Sequence, residues 1–206
     1  VDTEFDYHTH NFHKITIFIS GNVQYFIEGK TYTLNPYDIV LVNRNDIHRI
    51  QVDSSIPYER IIVYISPGFM EAYRTTEYNL AYCFEQAREK QSYVLRIPSL
   101  ETSSLYKTTQ RLERSFHDHE YAGSLYRQIL FLEFMIQLNR ATLKEGIEYL
   151  DTKLYNKKVL DIMNYIQDHL TETLSMDSLA SVFYLSKYHM MRLFKTETGV
   201  TIGHYI

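Results

Sequence analysis

Residues 175–205, SMDSLASVFYLSKYHMMRLFKTETGVTIGHY, determine how the rest of the chain is interpreted. They predict two short helices joined by a tight turn. Ser175 can cap the first helix, because its hydroxyl accepts a hydrogen bond from a backbone N–H that the helix leaves unpaired. Ser186 can cap the second helix in the same way. Gly199 follows that helix at the position where a left-handed residue is expected.

The second helix has two different sides. Met190, Leu193 and Phe194 recur at i, i+3 and i+4, which predicts one buried side. Another side carries long polar or polarisable side chains that include two cations: Tyr188, Met191, Arg192 and Lys195. Composition and periodicity alone favour a simpler interpretation, a helical hairpin with a solvated outer face.

The residue order shifts this interpretation towards DNA binding. From Leu179 to Thr201 the chain reads L-A-x-x-F-x-L-S-K-Y-H-M-M-R-L-F-K-x-E-T-G-V-T, which resembles the first helix-turn-helix of AraC-type transcription regulators. The resemblance implies that residues 186–195 form a recognition helix that lies in the major groove. That family usually has glycine in the turn, where this chain has Tyr184. If the turn requires a positive φ, the tyrosine is strained.

The resemblance also implies roles for the exposed positions of this helix. Tyr188, Met191 and Arg192 would face bases, and Arg192 could bind guanine through two hydrogen bonds. Three further side chains, Lys187, His189 and Lys195, are expected to contact phosphates and so fix the register. Ser186, at the helix cap, completes the set of DNA-binding candidates.

Short segments of alternating hydrophobicity occupy residues 5–65. Ile15, Ile17 and Ile19 alternate with polar and aromatic neighbours, and Ser20-Gly21-Asn22 then predicts a turn. Further strands are predicted around Val23–Ile27, at Ile39–Val42 and at Tyr58–Ile65. Short strands at close, regular spacing favour an antiparallel barrel or sandwich.

A second resemblance concerns the same region. H-T-H-N-F-H-K from His8, G-K-x-Y-x-L-N-P-x-D from Gly29 and N-D-I-H ending at His48 are together similar to a cupin barrel. The cupin metal pattern has two histidines two apart, a glutamate shortly after and a later histidine. His8, His10 and His48 fit, but the glutamate position falls on Lys14. A protonated lysine repels a divalent metal and cannot ligate it. We therefore predict no metal and no cofactor, although three imidazoles alone could hold zinc.

Regulators that resemble this chain usually use the barrel to bind an effector, without a catalytic metal. Such a pocket is mostly apolar with a few convergent polar groups. Strand parity puts Arg60 among aromatic residues, where it could hold a hydroxylated or anionic ligand. The alternative is a solvated arginine on an edge strand. The effector-binding candidates are His8, His10, Lys14, Tyr25, His48, Arg60 and Tyr64. His13 has the other parity and is expected to point outward.

Two helices are predicted between the barrel and the C-terminal region. Leu105, Leu112 and Phe116 recur at helical spacing in the first. The second, Ser124 to Leu143, is apolar around so much of its circumference that it needs burial on more than one side. Packing on the barrel is one explanation. The resemblance implies another, an antiparallel helix pair that forms a homodimer, and the two are compatible.

The predicted fold class is α+β. The segments are a cupin-like antiparallel effector barrel (1–98), a helical dimerisation hairpin (99–143), a linker (144–156) and the first half of an AraC-type DNA-binding domain (157–206). That family has two helix-turn-helix units, so we expect a fragment of a longer regulator. Because affinity depends on the number of neutralised phosphates, the fragment should bind double-stranded DNA weakly.

Composition limits the classes of function. The 206 residues carry a net charge of −4, which excludes a generally basic nucleic-acid coat and requires a local patch for DNA. The single Cys83 excludes an intramolecular disulfide framework and fits a reducing compartment. No apolar run of ~18 residues occurs, so we expect a cytoplasmic protein without a membrane partner.

The leading hypothesis is a ligand-responsive transcription regulator that has no catalytic residues. A sugar is the effector that the family favours, and acids and aromatic compounds remain open. One alternative is a metal-dependent cupin enzyme with a helical appendage. Another is a dimerisation module whose barrel is empty.

Overall fold

The structure is a computed structural model that describes residues 2–4, 7–97, 102–117, 119–143, 147–150 and 157–206, with the backbone alone for 2–4. Two antiparallel sheets form its N-terminal part. The strands are β1 (Asp2–Glu4), β2 (His13–Ser20), β3 (Val23–Ile27), β4 (Lys30–Thr33), β5 (Ile39–Val42), β6 (His48–Asp53), β7 (Glu59–Ile65), β8 (Val94–Arg96) and β9 (Glu148–Tyr149). One sheet has the order β1-β6-β3-β4 and the other β7-β2-β5-β8-β9.

Helices surround and follow these sheets. They are α1 (Pro67–Ala72), α2 (Tyr82–Glu89), α3 (Ser104–Ser115), α4 (Gly123–Leu143), α5 (Lys157–Asp168), α6 (Met176–Val182), α7 (Lys187–Thr198) and α8 (Ile202–Tyr205). Strands therefore dominate the N-terminal part and helices the C-terminal part. The predicted α+β class is confirmed.

Strand β2 has both of its faces buried. It pairs with β5 on one side and with β7 on the other. Its even-numbered side chains face the second sheet, since the Tyr25 hydroxyl on β3 donates to Thr16 Oγ1 at 3.3 Å. Its odd-numbered face lies towards the helices, where the His13 ring contacts Phe84 of α2 at 5.0 Å between centroids. The even-numbered residues of β2 therefore line the interior between the sheets.

Three strands were not predicted: β1, whose Thr3 pairs with Val52 of β6, and the two described next. β6 contains His48, Arg49 and Gln51 and lacks a clear apolar alternation, yet it pairs with β3 over five residues, Val23 to Ile27. β9 lies within the stretch interpreted as a linker, and its Tyr149 pairs with Leu95 of β8. Both strands exist because a neighbouring strand offers unpaired backbone groups, which is a non-local effect.

The β3–β4 hairpin has a two-residue turn, Glu28-Gly29. Ile27 pairs with Lys30, and both turn residues have positive φ, 48° for Glu28 and 73° for Gly29. Positive φ at both positions is the pattern of a type I′ turn, whose twist suits the strands. Glycine adopts it readily, whereas glutamate there is strained. The turn places the Glu28 carboxyl group in a buried position.

Helices α3 and α4 form an antiparallel pair. Arg111 Nη1 lies 2.9 Å from Glu133 Oε2, and Ser104 Oγ donates to Gln137 Oε1 at 3.1 Å. One side of α4 is buried, with Leu130, Phe134, Met135 and Leu138 at 0% exposure. The opposite side of the helix is exposed within this chain. Residues 99–101, at the predicted start of the first helix, lie outside the described part.

Helices α5 to α8 have a hydrophobic core of their own, built on Ile162, Ile166, Leu179, Met190 and Phe194. A capping box joins Ser175 and Ser178 at the start of α6. The Ser186 side chain accepts a hydrogen bond from His189 N at the start of α7, and Gly199 ends α7 with φ 78°. The predicted caps are therefore confirmed. Tyr184 in the turn has φ 53°, so the expected strain is present.

Candidate DNA-reading helix and effector site

Helix α7 presents the side that the sequence assigned to DNA. Tyr188 is 74% exposed and Met191 40% exposed. The other five candidates, Ser186, Lys187, His189, Arg192 and Lys195, are exposed as well. Met190 and Phe194, at 0% exposure, anchor the opposite side in the core. The geometry anchors one face of α7 in the core and leaves the opposite face exposed to solvent.

This face forms a local basic patch on an acidic chain. Arg192 and Lys195 are exposed on it, and Lys187 Nζ lies 3.0 Å from Asp177 Oδ2 of α6 in an exposed ion pair. An exposed pair of this kind contributes little to stability. Lys187 can therefore leave Asp177 at small cost.

Four of the predicted effector residues lie close together: Lys14 and His48 are buried between the sheets, His10 is half-buried and His8 is exposed. Lys14 Nζ lies 2.7 Å from His48 Nε2. The ring of His48 lies 4.3 Å from that of His8 and 4.9 Å from that of His10, centroid to centroid. His8, His10, Lys14 and His48 are called the histidine–lysine cluster below. Its members come from β2, from β6 and from the segment that precedes β2.

The hydrogen bonds of the cluster define the His48 tautomer. His48 Nδ1 lies 3.1 Å from the Asp46 carbonyl oxygen, so it donates there and Nε2 accepts from Lys14. His10 Nδ1 likewise donates to the Phe12 carbonyl at 2.7 Å. His10 Nε2 is buried and has no hydrogen-bond partner. A bound hydroxyl or acid group would satisfy it.

Burial lowers the pKa values of Lys14 and His48, which favours the neutral form of each side chain. It lowers the pKa of Lys14 to about 8, and the Arg60 charge acts in the same direction. Burial also lowers the pKa of His48 to about 2, with the Lys14 charge as the next cause. Within the described residues, no ion pair joins Lys14 to a carboxylate. Lys14 is therefore a desolvated donor with no anionic partner in the part of the chain that the structure describes.

The other three effector candidates lie around the cluster in different settings. Tyr25 is 1% exposed and faces Lys14, with Nζ 5.9 Å from the ring centroid. Arg60 is exposed on the edge strand β7 and stacks on Tyr58 at 4.2 Å. Tyr64, opposite Lys14 in the register, is 64% exposed. Arg60 and Tyr64 thus stand at an open rim rather than inside an enclosed pocket.

The structure also places two single residues that the sequence analysis discussed. His13 has the parity expected, but it is half-buried against Phe84 instead of pointing into solvent. Cys83 is fully buried, and burial raises the pKa of its thiol to about 12, so the thiol is unreactive.

The cluster does not fit a metal. Both ring nitrogens of His48 are engaged, one by Lys14 and one by a backbone carbonyl. Across the described part of the chain, no three His, Cys, Asp or Glu side chains are grouped so that they could hold a metal ion. Lys14 occupies the position where a cupin metal centre has glutamate.

None of the helices in the described segments is both long and apolar enough to cross a bilayer.

Sequence reasoning missed a contact between the sheets and the C-terminal helices. Glu28, in the β3–β4 turn, is 2% exposed, and its Oε2 accepts a hydrogen bond from the Tyr205 hydroxyl at 2.8 Å. Elsewhere in the same interface the Tyr7 ring lies against Gly199, where an added Cβ would be 2.0 Å from Tyr7 Cδ2. A glutamate beside a turn glycine is normally exposed to solvent, so local sequence did not indicate this burial.

The fold and site together define a transcription regulator with a ligand-binding domain and a helix-turn-helix. Residues 1–135 match the family model of the AraC-like ligand binding domain. Residues 166–206 match the model of bacterial regulatory helix-turn-helix proteins of the AraC family. The chain belongs to the AraC family, and it is a ligand-responsive DNA-binding transcription regulator.

Individual relatives agree with this assignment. The chain is 25% identical over 205 residues to the HTH-type transcriptional activator RhaS of Enterobacter sp. (strain 638), covering 98% of this chain and 69% of that protein. RhaS of Escherichia coli (strain SMS-3-5 / SECEC) is 22% identical over 203 residues, with 98% and 70% covered.

Solved structures of similar proteins include apo ToxT K231A from Vibrio cholerae strain SCE256. It aligns with a TM-score of 0.45 and 12% identity over 100% of this chain and 73% of that one. The AraC-like transcriptional activator CuxR aligns with a TM-score of 0.40 and 10% identity over 95% and 65%.

Proposed function

We propose that a small hydroxylated or acidic molecule binds at the histidine–lysine cluster and controls promoter binding by α7. The observation that carries this proposal is the buried Lys14, which no carboxylate pairs in the described residues. A buried cation without an anion is costly. A ligand that brings hydroxyl or carboxylate oxygens to Lys14 and His10 Nε2 would remove that cost.

The ligand class follows from the groups around the cluster. Lys14 and, at the rim, Arg60 are donors that suit oxygen-rich ligands, whereas Tyr25 and Tyr64 offer ring faces to a sugar. Monosaccharides and sugar acids are therefore the first candidates, and short carboxylic acids the second. A ligand that binds only the folded state raises the apparent stability.

The effector experiment is thermal unfolding of the chain with a panel of monosaccharides, sugar acids and short carboxylic acids. We expect at least one compound to raise Tm, and the double variant Lys14→Met with His10→Phe to lose that response. A matched control is Lys187→Met, an exposed lysine far along the chain. A Tm increase that survives in the double variant contradicts the assignment of the cluster.

We further propose that α7 reads the major groove, with Arg192 specifying a base and Lys195 contacting phosphate. Arg192→Ala should relax the preferred sequence that the chain selects from a random duplex pool, because a bidentate arginine–guanine contact discriminates by about 1–3 kcal/mol. Lys157→Ala, a cation on α5, is the matched control. An unchanged preference in Arg192→Ala removes that residue from the reading face.

The exposed side of α4 supports a homodimer. Leu125, Ile129, Ile136 and Leu143 follow one another along that side and are 41–64% exposed. Their spacing of four, seven and seven residues forms one straight seam on a helix. We therefore propose that two copies pair through α4 and that residues 99–143 form the dimerisation hairpin. The remaining boundaries, 1–98 for the effector domain and 157–206 for the DNA-binding domain, are part of this proposal.

We propose no enzymatic activity. A cytoplasmic location follows from the proposed role, because the target DNA lies there. The cupin enzyme alternative rests on the proximity of three histidine rings, and elemental analysis separates the two. A stoichiometric metal that is lost in His48→Ala would support the enzyme.

A further inference from the structure

The turn between α6 and α7 is closed by a Schellman motif at the end of α6. Leu185 N donates to the Ala180 carbonyl oxygen at 3.0 Å, and Tyr184 N donates to the Ser181 carbonyl oxygen at 3.3 Å. The residue before the last donor of such a motif is left-handed and is usually glycine. Here it is Tyr184, with φ 53°. A side chain with a Cβ lowers stability in that conformation, whereas glycine does not.

The Tyr184 side chain gains little packing from the described part of the chain. It is 95% exposed, whereas its neighbours Phe183 and Leu185 pack on the core of α5 to α8. Strained backbone conformations that persist in folded proteins are concentrated at functional sites. The ring and the hydroxyl of Tyr184 are therefore available to a partner molecule, and internal packing does not offset the strain.

The surface around Tyr184 continues into the exposed face of α7. Val182 is 42% exposed, Tyr188 74% and Met191 40%, and the cation Lys187 is exposed between them. The Cα atoms of Tyr184 and Tyr188 are at most about 14 Å apart, because one extended residue spans no more than about 3.6 Å. A partner that lies along the exposed face of α7 is therefore within reach of the Tyr184 side chain.

The order of the elements indicates which part of a DNA duplex would lie beside Tyr184. In a helix-turn-helix the first helix crosses the DNA backbone, and the N-terminal residues of the second helix contact base edges in the major groove. Here α6 is the first helix and α7 the second. The turn between them leads from the backbone into the groove, so it passes the phosphates at the groove edge. Tyrosine is one of the side chains that donate hydrogen bonds to phosphate oxygens.

We propose that Tyr184 contacts the DNA backbone, with its hydroxyl donating a hydrogen bond to a phosphate oxygen beside the bases that α7 contacts. This contact rests on the proposed function of α7 in the major groove and adds a residue to it. It fixes the position of α7 on the duplex and not the preferred sequence, because phosphate oxygens carry no direct sequence information. The tyrosine thus supplies a donor that glycine lacks, at a cost in stability.

The first experiment removes only the hydroxyl group. Tyr184→Phe keeps the ring and the backbone strain, and it should weaken binding of the full chain to DNA about tenfold, because the lost hydrogen bond has a charged acceptor. The loss should be equal for the preferred duplex and for a scrambled duplex of the same composition. The slope of log K against log salt should not change, since a neutral side chain releases no counterion. Fluorescence anisotropy over a low-salt series measures all three.

A matched control is Tyr121→Phe. Tyr121, before α4, is 100% exposed and lies outside the helix-turn-helix. The control variant should bind both duplexes as the unchanged chain does.

A second variant separates the strain from the contact. Tyr184→Gly should raise Tm by about 2–4 °C, because glycine adopts the left-handed conformation readily. It should nevertheless bind DNA at least as weakly as Tyr184→Phe. Weaker binding by a more stable chain excludes loss of the fold as the cause.

Phosphate ethylation interference locates the contact. With the unchanged chain, ethylation of a phosphate at the groove edge should block binding, and the same phosphate should have no effect with Tyr184→Phe. Unchanged affinity in both Tyr184 variants overturns the proposal and points to a protein partner instead. A loss of affinity in Tyr184→Gly alone overturns the phosphate hydrogen bond, because the ring would then make the contact.

The same measurements distinguish this contact from the proposed function of α7. If Arg192→Ala alters the preferred sequence and the Tyr184 variants bind normally, only the Tyr184 contact is wrong. If the unchanged chain binds neither duplex at low salt, the proposed role of α7 and the Tyr184 contact are both wrong.

Discussion

Lys14 Nζ and His48 Nε2 lie 2.7 Å apart in the interior between the two sheets, and both side chains are buried. In a cupin metal centre the position of Lys14 belongs to a carboxylate. Here the amine is the hydrogen-bond partner of the histidine instead. Among the described residues no carboxylate pairs with this amine, and that arrangement supports the proposed binding of a hydroxylated or acidic ligand rather than of a metal ion.

The buried Lys14 should give the protein a characteristic pH dependence. Its pKa is lowered from 10.5 to about 8, so between these values the unfolded chain binds more protons than the folded one. The free energy of unfolding contributed by this group therefore rises with pH over that window, by up to about 3 kcal/mol. Lys14→Met removes this rise.

Urea denaturation at several pH values measures this contribution of Lys14. The quantity of interest is the difference in unfolding free energy between the unchanged chain and Lys14→Met, because the other titrating groups cancel in that difference. Lys195→Met, an exposed lysine on α7, should leave the slope in place. A flat difference between pH 7 and about 11 would show that Lys14 titrates normally.

The phosphate role of Lys195 predicts a change in salt dependence. Lys195→Ala should weaken binding to all duplexes alike and reduce the slope of log K against log salt by about 1, because one fewer counterion is released. Arg192→Ala should instead alter the preferred sequence. Fluorescence anisotropy over a salt series checks both variants. A sequence-dependent loss in Lys195→Ala would exchange the two roles.

The dimer seam on α4 predicts the effect of a charge in its centre. Ile129→Glu combined with Ile136→Glu should convert a dimer to a monomer, since two carboxylates would face their copies across the interface. The fold of each chain should survive, because both positions are exposed. Ser124→Glu adds a charge to the same helix away from the seam. Analytical ultracentrifugation at several concentrations reports the mass, and a monomeric wild type would refute the dimer.

Gly199 is predicted to tolerate no side chain. Its φ of 78° strains any L-residue, and a Cβ would stand 2.0 Å from Tyr7 Cδ2. Gly199→Ala should therefore cost about 2–4 kcal/mol of unfolding free energy. Gly203→Ala, in α8 with nothing within 4 Å of the new Cβ, should be neutral or slightly stabilising.

Chemical denaturation compares the two glycine variants. Adding Tyr7→Ala to Gly199→Ala should restore the part of the loss that comes from the clash and leave the part that comes from φ. Equal stabilities of the two single alanine variants would show that the Tyr7 contact does not form in solution.

Structural features that depend on neighbouring residues could be predicted from the sequence. The caps at Ser175 and Ser186, the left-handed Gly199 and the two sides of α7 all follow from hydrogen bonds and periodicity within a few residues. The strained Tyr184 was visible for the same reason, because a turn's φ is a local property. Strand parity likewise assigned Lys14 to the face opposite Ile15.

Only the tertiary structure decided which of these groups are desolvated. β6 and β9 form because distant strands supply their hydrogen bonds, and Glu28 is buried because α5 and α8 cover its turn. Arg60 and Tyr64 have the predicted parity yet lie at an open rim, since β7 is an edge strand. Burial and pairing depend on segments far apart in the chain, and no window of sequence contains both partners. The sequence by itself therefore determined the helix caps, the alternation of the strands and the family. The fold determined which ionisable side chains are buried.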